Sequence, residues 1–193
     1  MDRRLRRVGV RDSAERPRNS KSSTTKETII FLDIDGVLLP FEGKRFKSTC
    51  GSLFPDHTLE AFSLILQEME GAKIVLSSTW RVQDRFRKEI IAGLRSYGYA
   101  YGGPLLEVDF TDLTDPDMHG ERQHEIHDWL QRNPDKVGAW IALDDEELME
   151  GVENAARRAV FQGHVVKTES HIGLTVKNAR YSIGLLQAQL SMP

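Results

Sequence analysis

Cysteine is almost missing from this chain, with Cys50 the single one in 193 residues. A lone thiol excludes an internal disulfide framework and suits a reducing cytoplasm, the location expected here. No motif surrounds Cys50, so it reads as an ordinary loop thiol and not as a nucleophile. No apolar run approaches the ~18 residues of a membrane helix, and no membrane partner is expected. The basic N-terminus is not followed by the apolar stretch of a signal peptide. Neither a Gly-rich Walker loop nor a dinucleotide fingerprint occurs, which argues against a nucleotide-cradling P-loop enzyme. Internal repeats are lacking as well.

What is present fits one soluble domain with an appendage. Charged residues make up 28% and hydrophobic residues 39%. The charge is uneven. Of 26 basic and 29 acidic residues, nine and four fall in residues 1–27, so this segment carries +5 and the remainder −8. Residues 1–27 have few large apolar side chains and no aromatic ones, and are expected to form a disordered basic tail preceding a domain over 28–193. Such an arm can grip nucleic acid through phosphate charge, although a solvated tail without a partner is the commoner case.

From Thr28 onward, apolar strands alternate with helical patterns. Strands are predicted at 28–34, 72–78, 137–145 and 164–168. "HTLEAFSLILQEMEG" places Leu59, Phe62, Ile65, Leu66 and Met69 on one helical face, with Gly71 available to end it. Further helices are predicted at 82–98, 121–133, 146–159 and 175–190, and 99–119 reads as irregular. Strands separated by helices imply a parallel sheet with right-handed crossovers and helices on both faces. In such sheets ligands bind beyond the carboxyl ends of the strands.

Three strand ends carry chemistry. "FLDIDGV" ends in Asp33 and Asp35, "IVLSSTW" in Ser77 and Ser78, and "WIALDD" in Asp144 and Asp145. Burying an unpaired carboxylate costs far more than a strand returns, so acids at these positions need another explanation. Four carboxylates on one rim repel unless some are protonated or a cation lies between them. Hard oxygen ligands favour magnesium, which binds through one or two carboxylates plus substrate phosphate. One Asp could attack phosphorus while an acid two residues away moves the proton. His124 and His127 share a helix face, but no further ligands accompany them, and they read as solvated. Thr168 and His171 fall in a loop near the rim, where substrate contact and a plain loop role are equally open.

These motifs resemble those of the haloacid dehalogenase-like (HAD) phosphatases. "LSSTWR", "WIALDD" and "KTESHIGLT" look like the HAD domain of Swiss-army-knife RNA repair proteins, over about residues 28–180. The resemblance implies an α/β Rossmannoid three-layer sandwich with a mainly parallel sheet and little or no cap. It implies Asp33 as nucleophile forming an aspartyl-phosphate and Asp35 as general acid/base. Magnesium would be held by the Asp33 carboxylate, the Asp35 main-chain carbonyl, and Asp144 or Asp145. Ser77, with Ser78 as neighbour, would bind the phosphoryl oxygens. The family also needs a Lys or Arg on the phosphoryl group. Arg122 is preferred because it opens the helix before "WIALDD", with Arg81, Arg85 and Lys88 as competitors, and Arg81 is expected to touch substrate.

The segment 35–58 fits a short turn and hairpin flap with "FEGKRF" at its tip, leaving the site open. The expected substrate is therefore a phosphomonoester, with a nucleic-acid 3′-phosphate end favoured by the resemblance and the basic tail. A small nucleotide or sugar phosphate, or a phosphate-binding module without turnover, are the rivals. No sequence feature sets an oligomeric state.

Overall fold

Short β-branched and leucine-rich segments, each too apolar to stay in water, alternate with amphipathic stretches whose apolar stripes cover them. The computed structural model describes residues 26–41, 47–116, 121–149 and 155–191. Their elements run β1 (Glu27–Leu32), α1 (Asp56–Glu68), β2 (Lys73–Leu76), α2 (Asp84–Tyr101), β3 (Asp112–Leu113), α3 (Arg122–Arg132), β4 (Val137–Asp144), α4 (Ala155–Phe161), β5 (Val165–Lys167) and α5 (Val176–Leu190). The strands form one sheet in the order β3-β2-β1-β4-β5, and every pairing is parallel. This is the expected three-layer α/β architecture.

The period of two along each strand sorts the core into halves. Ile30, Leu32, Ile74, Leu76, Ile141 and Leu143 face α1, α2 and α5, where Leu59, Phe62, Ile65, Leu94 and Leu186 join the same cluster. Ile29, Phe31, Val75, Trp140 and Ala142 face α3 and α4, against Ile126, Trp129 and Phe161. Phe31 is fully buried and meets the edges of Trp129 and Trp140 at 5.3 and 5.7 Å. Phe31→Ala is therefore expected to destabilise the fold by about 3–5 kcal/mol in urea unfolding. A loss below about 1.5 kcal/mol would show that this face is not closely packed.

Several boundaries differ from expectation. β1 begins at Glu27, inside the segment assigned to the tail, whose residues 1–25 lie outside the described residues. So do residues 42–46, most of the "FEGKRF" tip. α2 continues to Tyr101 through Gly98, where a Cβ would come within 2.3 Å of the Leu106 backbone nitrogen; glycine lets the following 104–106 turn close against the helix. Of the helix expected over 146–159, residues 146–149 are not helical, since the Asp144 carboxylate accepts the Glu146 N–H at 2.9 Å and turns the chain there; residues 150–154 lie outside the described residues, and α4 covers Ala155–Phe161. β3 lies inside the stretch read as irregular; two residues carry no periodicity, and their pairing with Val75 and Leu76 makes them a strand. No described helix is long and apolar enough to cross a membrane.

Candidate active site

The parallel register brings chosen residues level. Leu32 pairs with both Leu76 and Leu143, and Leu76 pairs with Leu113. The next N–H groups extend this ladder: Asp33 donates to Leu143 O, Ser77 to Leu32 O and Thr114 to Leu76 O, at 3.0, 3.0 and 3.1 Å. Thr114, Ser77, Asp33 and Asp144 thus form one row at the carboxyl edge. By strand alternation their side chains lie on the α3 side of the sheet, where the Trp129 indole of α3 reaches Asp112 at 2.9 Å. The first turn of α3 covers the row with Arg122 and Glu125, both 6% exposed.

Arg122 works as a fork. Its Nη2 lies 3.4 Å from Asp33 Oδ1, its Nε 3.3 Å from Asp144 Oδ2, and its Nη1 3.2 Å from Glu125 Oε2. Burial disfavours the guanidinium charge, but Asp33, Asp144 and Glu125 outweigh that and hold its pKa above the ordinary value. Asp33 is raised by its burial, against Arg122 and hydrogen bonds from the Ser78 hydroxyl and the Ile34 N–H. Asp144, fully buried, is pushed up to about 8 by burial and then by the Asp33 charge.

Beyond the row the chain turns at Gly36, which takes φ 68°, a left-handed value that glycine adopts freely. A Cβ at Gly36 would lie 2.3 Å from Asp145 Cγ, so glycine is what lets the Asp145 carboxylate approach. The Thr168 hydroxyl donates to Gly36 O at 2.8 Å and fixes the turn, a structural task for one of the two loop residues left open above. The other, His171, is exposed and lies 3.7 Å from Glu169. Asp145 is raised mainly by burial, with the Glu146 and Asp35 charges adding to it.

Asp33, Asp144 and Asp145 offer oxygens that all lie within 4.8 Å of one another. Three polar atoms of the row, Thr114 Oγ1, Ser77 Oγ and Asp144 Oδ2, are buried without a hydrogen-bond partner, as is Arg122 Nε above them. Buried polar atoms are ordinarily satisfied, so these imply something that belongs between them. Three close carboxylates with raised proton affinity and an unmet oxygen fit a small divalent cation such as magnesium. The Asp35 carboxylate is not in this group; its Oδ2 accepts the Trp80 indole N–H at 2.8 Å. His124 and His127 lie near Glu121 and Asp128 respectively and take no part in a metal-like cluster among the described residues.

The competing cations are also placed. Arg81, expected against substrate, is 4% exposed and directs its whole guanidinium into the protein. Its Nε donates to Thr114 O at 2.8 Å, its Nη1 to Ser77 O and Ser78 O at 2.9 and 2.7 Å, and its Nη2 to Glu125 at 2.5 Å. Four carbonyl and carboxylate partners thus hold Arg81 beneath the Ser77–Ser78 turn. Arg85 lies over the Phe86 ring, and Lys88 pairs with Asp84 at 2.7 Å on the surface. Glu125, which links Arg81 to Arg122, was not foreseen. A glutamate in the first turn of a helix reads as a surface residue complementing the helix dipole. Its i,i+3 spacing from Arg122 was the only signal available.

Asp144 makes stability depend on pH. Its carboxyl titrates near 3.8 unfolded and about 8 folded, so between these values the folded state binds more protons. Stability must then fall as pH rises through that window. Metal-free protein is expected to lose about 3–4 kcal/mol between pH 5 and 8, seen as a Tm lower by about 6–16 °C. Magnesium should restore more Tm at pH 8 than at pH 5, since the cation takes the place of a proton. Asp144→Asn should flatten both dependences in thermal scans, and an unchanged slope would count against Asp144 as the group responsible.

Residues 29–179 match the family model described as the HAD domain in Swiss Army Knife RNA repair proteins. The comparison with curated proteins returns no match, and neither does that with solved structures. The matched span runs from the second residue past Glu27 in β1 into the first turn of α5 and takes in every strand. It also contains the whole row of polar residues and the arginine fork above it, and the family lies in a hydrolase and phosphatase superfamily. Since that match covers well over half of its length, the chain belongs to the family of HAD domains found in Swiss Army Knife RNA repair proteins.

Proposed function

We propose that this protein is a magnesium-dependent phosphomonoesterase acting through an aspartyl-phosphate on Asp33, with nucleic-acid 3′-phosphate ends as substrate. The observation that carries this reading is the Asp33 carboxylate, buried, bracketed by Arg122 and the Ser78 hydroxyl, and within 4.8 Å of two further carboxylates. A structural acid does not need such company.

An Asp33 oxygen attacks phosphorus, forming the acyl-phosphate O–P bond as the ester O–P bond breaks. The departing alcohol takes a proton from Asp35. Water then attacks the same phosphorus and gives a proton back to Asp35, releasing inorganic phosphate and free Asp33. Arg122 balances charge gathering on the phosphoryl oxygens, and Ser77 Oγ, otherwise unpartnered, is available to donate to one of them. Asp33, Asp144, Asp145 and the Asp35 main-chain carbonyl would hold magnesium, which when bound neutralises charge on the transferring group.

The substrate class is supported by the family's RNA repair context and the +5 charge of residues 1–27. With magnesium, p-nitrophenyl phosphate and a 3′-phosphorylated oligonucleotide should both be hydrolysed, with kcat/KM about tenfold or more higher for the oligonucleotide. Removal of residues 1–25 should raise KM for the oligonucleotide alone, most at low salt. Faster turnover of nucleoside or sugar monophosphates would favour a small-molecule substrate, and no turnover of any phosphomonoester would overturn the proposal.

A further inference from the structure

The carboxylate of Asp35 has to keep one oxygen free and correctly aimed if it is to carry a proton between solvent and the leaving group. Carboxyl groups rotate easily about their terminal torsion, so an unrestrained one spends much of its time misdirected. Here Asp35 Oδ2 accepts a hydrogen bond from Trp80 Nε1 at 2.8 Å. An indole N–H is a donor only, so it fixes one oxygen as acceptor and leaves Oδ1 for the proton.

Trp80 is itself held from two directions. Its main chain lies in the tight turn Thr79–Val82, whose leading carbonyls, Ser77 and Ser78, are gripped by Arg81 Nη1 at 2.9 and 2.7 Å. Its ring packs on Phe86 at 5.3 Å between centroids, and Arg85 caps the Phe86 ring at 4.5 Å. The indole is thus a fixed donor aimed at a group with a rotatable carboxyl, and the fixed partner dictates the geometry. Within the phosphatase reading given above, on which this rests, we infer that Trp80 is the positioning residue of the general acid, holding the Asp35 carboxyl plane so that Oδ1 faces the departing oxygen.

The chemistry makes a specific demand. A poor leaving group such as an alkoxide needs its proton as the O–P bond breaks, whereas p-nitrophenolate departs readily without one. Loss of Asp35 orientation should therefore harm alkyl phosphates far more than p-nitrophenyl phosphate. A merely structural Trp80 would slow both alike.

Two measurements test the inference. The chain has three tryptophans, Trp80, Trp129 and Trp140, giving three indole N–H signals in a nitrogen–proton correlation spectrum. Asp35→Ala should move the Trp80 signal upfield and leave that of Trp129, bonded to Asp112, in place. Trp80→Phe should lower kcat on a 3′-phosphorylated oligonucleotide about 30-fold and on p-nitrophenyl phosphate about threefold, with KM little changed. An unmoved Trp80 signal, or equal losses on the two substrates, would overturn the inference. If Trp80→Phe does not fold, the Asp35→Ala spectrum decides alone. Absence of turnover by the unaltered protein would instead bring down the phosphatase reading, and the positioning role with it, a result distinct from a change in substrate ratio.

Discussion

Asp33→Asn is expected to cut magnesium-dependent turnover by about 10⁴-fold or more, since an amide nitrogen or oxygen cannot form the acyl-phosphate. The same variant should remain folded. Asp33 is buried and its carboxyl raised by that burial, so the neutral amide removes a charge that the fold disfavours. Arg122 keeps Asp144 and Glu125 as partners when Asp33 is neutral. A Tm within about 4 °C of the unaltered protein is the expected outcome. Acid-quenched protein incubated with labelled substrate should carry phosphate on the unaltered chain and none on Asp33→Asn. Turnover surviving in Asp33→Asn would sink the covalent mechanism, whatever its effect on stability.

Arg122 carries the second large effect, and here stability and activity should fall together. Its three nitrogens face Asp33, Asp144 and Glu125, all buried. Removing the cation leaves carboxylates without their counter-charge, which costs about 3–5 kcal/mol unless they take up protons. Arg122→Ala is therefore expected to be strongly destabilised at pH 8 and less so at pH 5, where Asp144 accepts its proton. Arg122→Lys should fold better yet lose about 10²-fold in kcat, because an ammonium is a point charge and cannot bridge three oxygens at once. Urea unfolding at the two pH values, with kcat for the Lys variant, checks both halves. Near-normal kcat in Arg122→Lys would show that the fork is not needed and that a single charge suffices.

Glu125 explains why that fork holds its shape. Its two oxygens take Arg81 at 2.5 Å and Arg122 at 3.2 Å, so a carboxylate separates two buried guanidinium groups that would otherwise repel. Arg81 in turn holds the Ser77 and Ser78 carbonyls, which ties the hydroxyl turn to the same framework. Disturbing Arg81 should therefore act on the site through position and not through loss of a substrate contact.

The fold was largely legible because its signals are local. The continuous apolar runs of β1 and β4 and the 3.6-residue stripe of α1 report burial within a few residues of chain, and the sheet buries them as expected. Where local signal was missing, as in the two-residue β3 and the turn after Asp144, tertiary pairing and a side-chain hydrogen bond decided the structure. The acids and hydroxyls at strand ends stood out for the opposite reason: they violate the apolar pattern, and only a site makes that violation useful.

By itself, then, the sequence determined that three strands deliver Asp33 and Asp35, Ser77 and Ser78, and Asp144 and Asp145 to one sheet edge, since strand direction and parallel crossovers leave no other place for them. Tertiary structure alone decided what each of these side chains meets. Arg122 reaches Asp33 across 89 residues, Trp80 reaches Asp35 across 45, and Arg81 reaches Glu125 across 44. Contacts at those separations depend on sheet register and on how α3 lies over the row, which no local pattern encodes. Two arginines of the same charge thus receive different tasks, Arg122 over the acids and Arg81 beneath the hydroxyls, because the packing of one helix puts a single buried glutamate between them.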